Sequence, residues 1–143
     1  MPCNLAVTIT KAVVAPEHLL KLLTPQVVEA LVDGFVRQHP TFVQYASVRV
    51  MTAPRGVVTI WLGYNKQMTI VDGQVSARFP RGEEANGEMC AQLISTLLAK
   101  GADRLFAQQV KKSLQQLGTV QEQQTKVKDG DQVIPVTMFK LEI

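Results

Sequence analysis

The chain has 143 residues and a formal net charge of +3, and 46% of its residues are hydrophobic. This length fits one folded domain, and the hydrophobic fraction argues against a disordered chain. The longest basic run is the pair Lys111-Lys112, so the charge does not by itself indicate a DNA-binding protein. We therefore predict a single domain over residues 1–143.

The two cysteines, Cys3 and Cys90, lie far apart and lack the spacing of a metal or redox motif. Sparse cysteine of this kind is typical of a reducing compartment. The first residues lack the pattern of a signal peptide, and no apolar run approaches the ~20 residues of a membrane span. These features predict a soluble cytoplasmic protein without membrane association, in which Cys90 is a buried free thiol.

The first third of the chain predicts one strand and two helices. Leu5–Val14 alternates apolar residues with small polar ones, as a half-buried strand does. A short helix over Glu17–Leu23 follows. Thr24 then provides an N-cap and Pro25 a suitable first residue for a strongly amphipathic helix, which ends before Pro40.

The middle of the chain predicts an antiparallel meander. Its four strand-like runs are Ser47–Ala53, Val57–Leu62, Gln67–Val71 and Gln74–Phe79. Asp72-Gly73 lies between the last two runs and is a strong signal for a two-residue hairpin turn, because both positions need positive φ. Connections this short favour antiparallel neighbours.

A long helical region and a closing hairpin complete the predicted elements. Helical spacing runs from about Glu83 to Gly118, and Gly101 is either a break between two helices or a glycine inside one. The hairpin is predicted over Val120–Lys128 and Val133–Ile143, with Asp129-Gly130 as its turn and Pro135 indicating an edge strand or a bulge. The order β-α-β-β-β-β-α-β-β predicts an α+β fold: an antiparallel sheet with two amphipathic helical regions packed on one face.

The usual motifs of catalysis are missing. The chain has neither a glycine-rich phosphate loop nor the HExxH or GxSxG pattern. We interpret His18 and His39 as surface or capping residues, and Glu83, Glu84 and Glu88 as carboxylates that interact with a helix N-terminus. We predict no metal and no cofactor.

The central strands offer a candidate binding surface. On the strand Val57–Leu62 the aliphatic face is formed by Val58, Ile60 and Leu62. If that face meets the helices, Trp61 and Thr59 point outward, on the side where Arg49 and Arg78 also fall. Such a surface suits a protein partner, or single-stranded nucleic acid through stacking and charge, although RNA-binding sheets usually carry more than one stacking aromatic. Alternatively, the closing hairpin or a second subunit covers Trp61.

One catalytic hypothesis comes from the start of the chain. Met1-Pro2 precedes a strand and an amphipathic helix, and this opening resembles that of the tautomerase superfamily. In that family the initiator methionine is removed and the N-terminal proline acts as general base. The resemblance implies that Pro2 is the base and that a substrate carboxylate is held by Arg37, Arg49, Arg55 or Arg78. The four-strand meander departs from the repeated β-α-β pair of that family.

A second resemblance covers more of the chain. A leading strand and helix are followed by a central hairpin around Trp61–Val71 and by an ending that contains Val110-Lys111-Lys112-Ser113-Leu114, Val120-Gln121-Glu122-Gln123 and Lys128-Asp129-Gly130. This order is similar to that of the hypothetical chloroplast reading frame thirty-five family of cyanobacteria and plastid genomes. The resemblance implies an accessory protein and carries no catalytic residues.

Together these features favour a non-enzymatic binding or accessory protein, acting as a subunit or adaptor in a larger assembly or as a homo-oligomer. The predicted binding residues are Trp61, Arg49, Arg78 and Thr59. The alternatives are an isomerase that uses Pro2 and a protein that binds single-stranded nucleic acid through its sheet.

Overall fold

The computed structural model of the chain describes residues 6–142, which form two compact units, one up to Ala102 and one from Asp103. The first unit contains a five-stranded antiparallel sheet and its helices, and the second contains a two-stranded sheet. The predicted α+β class is therefore confirmed. The single domain over residues 1–143 stays a prediction.

The sheet of the first unit is a meander with one strand added at its edge. The strands are Ala6–Ala12 (β1), Arg49–Thr52 (β2), Val58–Gly63 (β3), Lys66–Val71 (β4) and Gln74–Pro80 (β5). Their order across the sheet is β1-β5-β4-β3-β2, and every neighbouring pair is antiparallel. The meander predicted for the middle of the chain is confirmed, and β1 pairs with its last strand.

The helices are Glu17–Leu20 (α1), Pro25–Gln38 (α2), Pro40–Val43 (α3) and Glu84–Gln115 (α4). Thr24 caps α2 as expected, because its Oγ1 accepts a hydrogen bond from the backbone N–H of Val27 at 3.3 Å. The sequence pattern missed α3: Pro40 ends α2 but also starts the next turn, and His39 Nδ1 accepts from the N–H of Thr41 at 3.2 Å. None of the helices within residues 6–142 is long and apolar enough to cross a membrane.

The core lies on one face of the sheet, between the strands and both long helices. The strands contribute Val58, Ile60, Leu62, Met68, Ile70, Val75, Ala77 and Phe79, and the helices contribute chiefly Val32, Val36, Ile94 and Leu98. All of these side chains are at most 4% exposed. The prediction that both helical regions pack on the same face is therefore confirmed.

Two ion pairs connect the start of α4, and the residue just before it, to the sheet. Lys11 Nζ lies 3.1 Å from Glu88 Oε1, and Lys66 Nζ lies 3.0 Å from Glu83 Oε1. Each carboxylate thus reaches a lysine on a strand. Because these pairs are partly exposed, each contributes little to stability, about 0–1 kcal/mol.

Gly101 lies inside α4, which continues without a break from Glu84 to Gln115. A Cβ at this position would lie 2.6 Å from Leu31 Cδ1 of α2, much closer than real Cβ contacts come. The glycine therefore allows the two helices to approach each other, and this resolves the question that the sequence left open.

We expect Gly101→Ala to stabilise the protein by less than the ~1 kcal/mol of helix propensity that alanine gains, because the flexible end of the Leu31 side chain must move to make room. In a Leu31→Ala background, the same substitution meets no obstacle and should stabilise the protein. Urea denaturation of the four variants of this cycle measures both effects. An equal effect of Gly101→Ala in the two backgrounds would contradict the close approach.

The second unit contains the end of α4 and a long hairpin. Its strands are Thr119–Asp129 (β6) and Gln132–Glu142 (β7), and they form a sheet of their own. The turn residues are Gly130 and Asp131, one position later than predicted, and Gly130 has a φ of 60°. Within this unit Lys111 Nζ lies 2.8 Å from Glu122 Oε2, which places the helix end on one face of the hairpin.

Candidate binding face of the five-stranded sheet

The outer face of the five-stranded sheet is the side opposite the core, and it carries every second side chain of β1–β5. One row of neighbouring residues runs straight across the five strands. This tryptophan row consists of Arg49, Trp61, Gln67, Arg78 and Thr8, in the order of the strands β2, β3, β4, β5 and β1. Trp61 is 40% exposed, so the predicted outward orientation of the only tryptophan is confirmed.

A second row lies next to the tryptophan row and is dominated by hydroxyl groups. This hydroxyl row consists of Met51, Thr59, Thr69, Ser76 and Thr10. The Oγ1 of Thr10 and the Oγ of Ser76 lie 3.0 Å apart and form a hydrogen bond. The four predicted binding residues thus share one face, with Thr59 in the hydroxyl row and the other three in the tryptophan row.

The charge of the outer face is positive. Its outward positions on β1–β5 include two arginines, Arg49 and Arg78, and no aspartate or glutamate. Neither guanidinium forms an ion pair with any residue between 6 and 142. Guanidinium geometry suits carboxylates and phosphates.

A shallow depression of about 230 Å³ lies beside Trp61 and is also lined by Gln67, Arg78 and Lys66. Sites for small molecules usually enclose about 300–1,000 Å³, so this depression fits one side chain rather than a whole ligand. Lys66 contributes less charge than its position suggests, because its Nζ already pairs with Glu83 at 3.0 Å and lies 5.2 Å from the ring centroid of Tyr45.

Two local features of the backbone position this face. Asp72 and Gly73 have φ values of 49° and 74°, so the turn between β4 and β5 is the tight hairpin that the sequence predicts. The pairing of β3 with β4 shifts between Trp61 and Gly63, and Gly63 has a φ of 122°. A bulge increases the local twist and can redirect a side chain. In the sequence, the only indication of this irregularity is Gly63 itself, because glycine readily adopts positive φ.

The structure does not bring together the four arginines of the tautomerase hypothesis. Arg49 and Arg78 lie on the outer face, whereas Arg37 pairs with Asp33 on α2 at 2.9 Å. Arg55 lies in the turn between β2 and β3 and lines a separate cleft. Pro2 lies outside the described residues, so its role as a base stays a prediction.

That separate cleft has a volume of about 550 Å³ and lies beside the start of α2 and the turns at one end of the sheet. Its apolar lining includes core residues such as Val58 and Leu98, and its charged residues are Glu17, Lys21, Arg55 and Asp72. The volume would suit a small molecule. Because both signs of charge are equally represented, the cleft favours no particular class of ligand.

The titratable groups with shifted pKa values have structural explanations. Burial raises the pKa of the Cys90 thiol to about 11, and burial is also the main cause that raises the pKa of Tyr45. The backbone N–H of Gly82 donates to Glu84 and lowers the pKa of that carboxyl group. Within residues 6–142, no three His, Cys, Asp or Glu side chains are grouped as metal ligands.

The outer face thus combines an exposed indole, two guanidiniums in line with it that form no ion pair among residues 6–142, and a depression that fits one side chain. No protein-family model matches the chain, and neither does any curated protein or solved structure with which it was compared.

Proposed function

We propose that this chain is a non-enzymatic accessory protein, a subunit or adaptor of a larger assembly, and that it binds an acidic segment of a partner protein across its outer face. The observation that carries the proposal is the tryptophan row, in which Trp61 lies in line with two arginines that have no ion-pair partner among residues 6–142. Tryptophan and arginine are the residues most enriched among the strongest contributors to protein interfaces.

The size of the face favours a segment over a folded domain as the partner. Five strands about 4.8 Å apart and about 20 Å long present an area of about 500 Å². A standard protein interface covers about 800 Å² on each partner, so this face alone supports a smaller and more transient contact. An extended segment that crosses the strands uses this area well.

The distance between the two arginines indicates where the bound segment would carry its carboxylates. Arg49 and Arg78 are three strand spacings apart, about 14 Å, which an extended chain covers in about four residues. Two carboxylates four positions apart therefore match the two guanidiniums. The side chain midway between them lies on the same side of an extended segment, close to Trp61, and an apolar residue there can occupy the neighbouring depression.

A photo-crosslinking amino acid in place of Thr59 tests the proposal in an extract of the native cell. We expect adducts with a protein, and we expect Arg78→Glu to abolish them because a carboxylate repels an acidic segment. Arg55→Glu is the matched control, since it changes the net charge equally but lies away from the outer face. Adducts with nucleic acid would instead favour the sheet as a nucleic-acid surface, and equal loss in both variants would contradict a site at Arg78.

Affinity can then be read from the protein itself, because Trp61 is the only tryptophan of the chain. Titration of a synthetic peptide copied from the crosslinked segment should change the emission of Trp61. We expect Arg78→Glu to raise the dissociation constant at least about tenfold, which corresponds to the loss of one strong contact of about 1.4 kcal/mol. An affinity that does not fall with added salt would contradict binding through the two arginines.

A further inference from the structure

The ammonium group of Lys66 is held outside the depression that this residue helps to line. Lys66 precedes Gln67 on β4, and because side chains alternate along a strand it starts from the opposite face of the sheet. There its Nζ lies 3.0 Å from Glu83 Oε1 and 5.2 Å from the ring centroid of Tyr45. Among the described residues that line the depression, neither Glu83 nor Tyr45 occurs. The charged end of Lys66 is thus directed away from the depression, although the residue borders it.

The ion pair that holds this ammonium group is open to exchange. The side chains of Lys66 and Glu83 are 23% and 35% exposed, so water reaches both partners. Pairs in contact with water are weak, and a lysine in such a pair can change its partner at little cost. The flexible four-carbon stem of Lys66 then allows a released ammonium group to reach the depression.

The pairing of Lys66 decides which side chain of a partner the depression can accept. Arg78 and Lys66 are the two cations among the described residues that line it. In the proposed complex Arg78 pairs with a carboxylate of the bound segment, and Glu83 already neutralises Lys66. A second carboxylate that entered the depression would lose water without gaining a free counter-charge, which is unfavourable. An apolar side chain has no such cost and contacts the ring of Trp61.

We propose that Glu83 sets the specificity of this depression for an apolar side chain, by keeping the ammonium group of Lys66 out of it. The inference rests on the proposed function, because it concerns the side chain midway between the two carboxylates of the bound segment. Glu83 does not contact the segment and is therefore a positioning residue that acts through Lys66. Without its charge, the depression becomes a site for a third carboxylate.

Two synthetic peptides with blocked ends test this role at low ionic strength. Both carry glutamate at their first and fifth positions, and the third position is leucine in one and glutamate in the other. The emission of Trp61 reports binding to the full-length protein. We expect the wild type to bind the leucine peptide more tightly, and we expect Glu83→Gln to shift the ratio of the two dissociation constants towards the glutamate peptide at least about threefold.

Two further variants show whether the shift depends on Lys66. Glu88→Gln is the matched control, because it removes the same charge from the other ion pair at the start of α4, whose lysine, Lys11, is not among the residues that line the depression. It should leave the ratio unchanged. Lys66→Met in the Glu83→Gln background removes the ammonium group but keeps an apolar stem, and it should return the ratio to the wild-type value. The thermal midpoint of each variant shows that the protein remains folded.

The outcomes separate this inference from the function on which it rests. If both peptides bind but Glu83→Gln leaves their ratio unchanged, or if Glu88→Gln shifts it equally, the role of Glu83 is refuted and the acidic segment stands as the partner. A shift that persists after Lys66→Met refutes the route through the lysine. If neither peptide changes the emission of Trp61 in any variant, the outer face does not bind acidic segments, and the specificity proposed for Glu83 fails with it.

Discussion

Replacing Phe79 with alanine is expected to lower the free energy of unfolding by about 3–5 kcal/mol. The Phe79 side chain is 0% exposed, and its ring lies 3.3 Å from the position that a Cβ on Gly87 of α4 would take. It therefore fills the space between β5 and the helix, and its removal leaves a cavity that the rigid sheet cannot close. Domains of this size are stable by about 5–15 kcal/mol, so the loss is a large share of the total.

Arg78→Ala is the control for this substitution, because Arg78 is the preceding residue on β5 and points to the outer face. It should change the free energy of unfolding by less than about 0.5 kcal/mol, as exposed substitutions usually do. Urea denaturation, followed by the fluorescence of Trp61 and by circular dichroism, measures both variants. Losses of similar size would contradict the assignment of the two faces of β5.

Raising the pH through the titration of Cys90 should destabilise the protein by about 2–3 kcal/mol. Burial raises the pKa of this thiol from 9.0 to about 11, against the smaller opposing effect of the Lys66 charge. In the unfolded chain the thiol ionises above about pH 9, whereas in the folded chain it stays protonated up to about pH 11. The unfolded state therefore binds fewer protons in this window, and stability is full below it and falls as the pH rises.

Comparison with Cys90→Ala separates the effect of the thiol on stability from the effects of the lysines and tyrosines that also titrate at high pH. The variant loses a constant amount of stability through its cavity, so only the difference between the two curves against pH reports on Cys90. We expect the stability advantage of the wild type to shrink between about pH 9 and pH 11. Parallel curves over this range would show that the thiol ionises equally in both states.

The division between the two faces of the sheet was predictable from the alternation of residues. Val58, Ile60 and Leu62 are too apolar to face water, and the pleat then forces Trp61 to the other side. The pairing of Trp61 with Gln67, and of Gln67 with Arg78, was not predictable in the same way. The register between two strands depends on the geometry of the turn that connects them. The irregularity at Gly63 shifts the register between β3 and β4, and the sequence pattern does not show by how many residues.

Other features were missed because they depend on contacts between distant residues. Gly101 has the same local sequence signal whether it ends a helix or lies inside one, and only the proximity of Leu31 on another helix distinguishes the two. The closing hairpin was predicted as a hairpin, but the sequence pattern did not show that it forms a separate sheet. Pairing partners outside a hairpin are decided by packing, which local propensity does not report.

The position of β1 next to β5 has a consequence for synthesis of the chain. β1 is made before the other strands of its sheet, but its partner is the last strand of the meander, with Ala6 opposite Pro80. At roughly 5–20 residues per second, the ribosome needs several seconds to deliver that partner after β1 has emerged. During this interval β1 is an unpaired segment rich in β-branched residues, while the hairpins of the meander form within microseconds once they are made. The nascent chain thus depends on keeping this first strand away from other chains until β5 arrives.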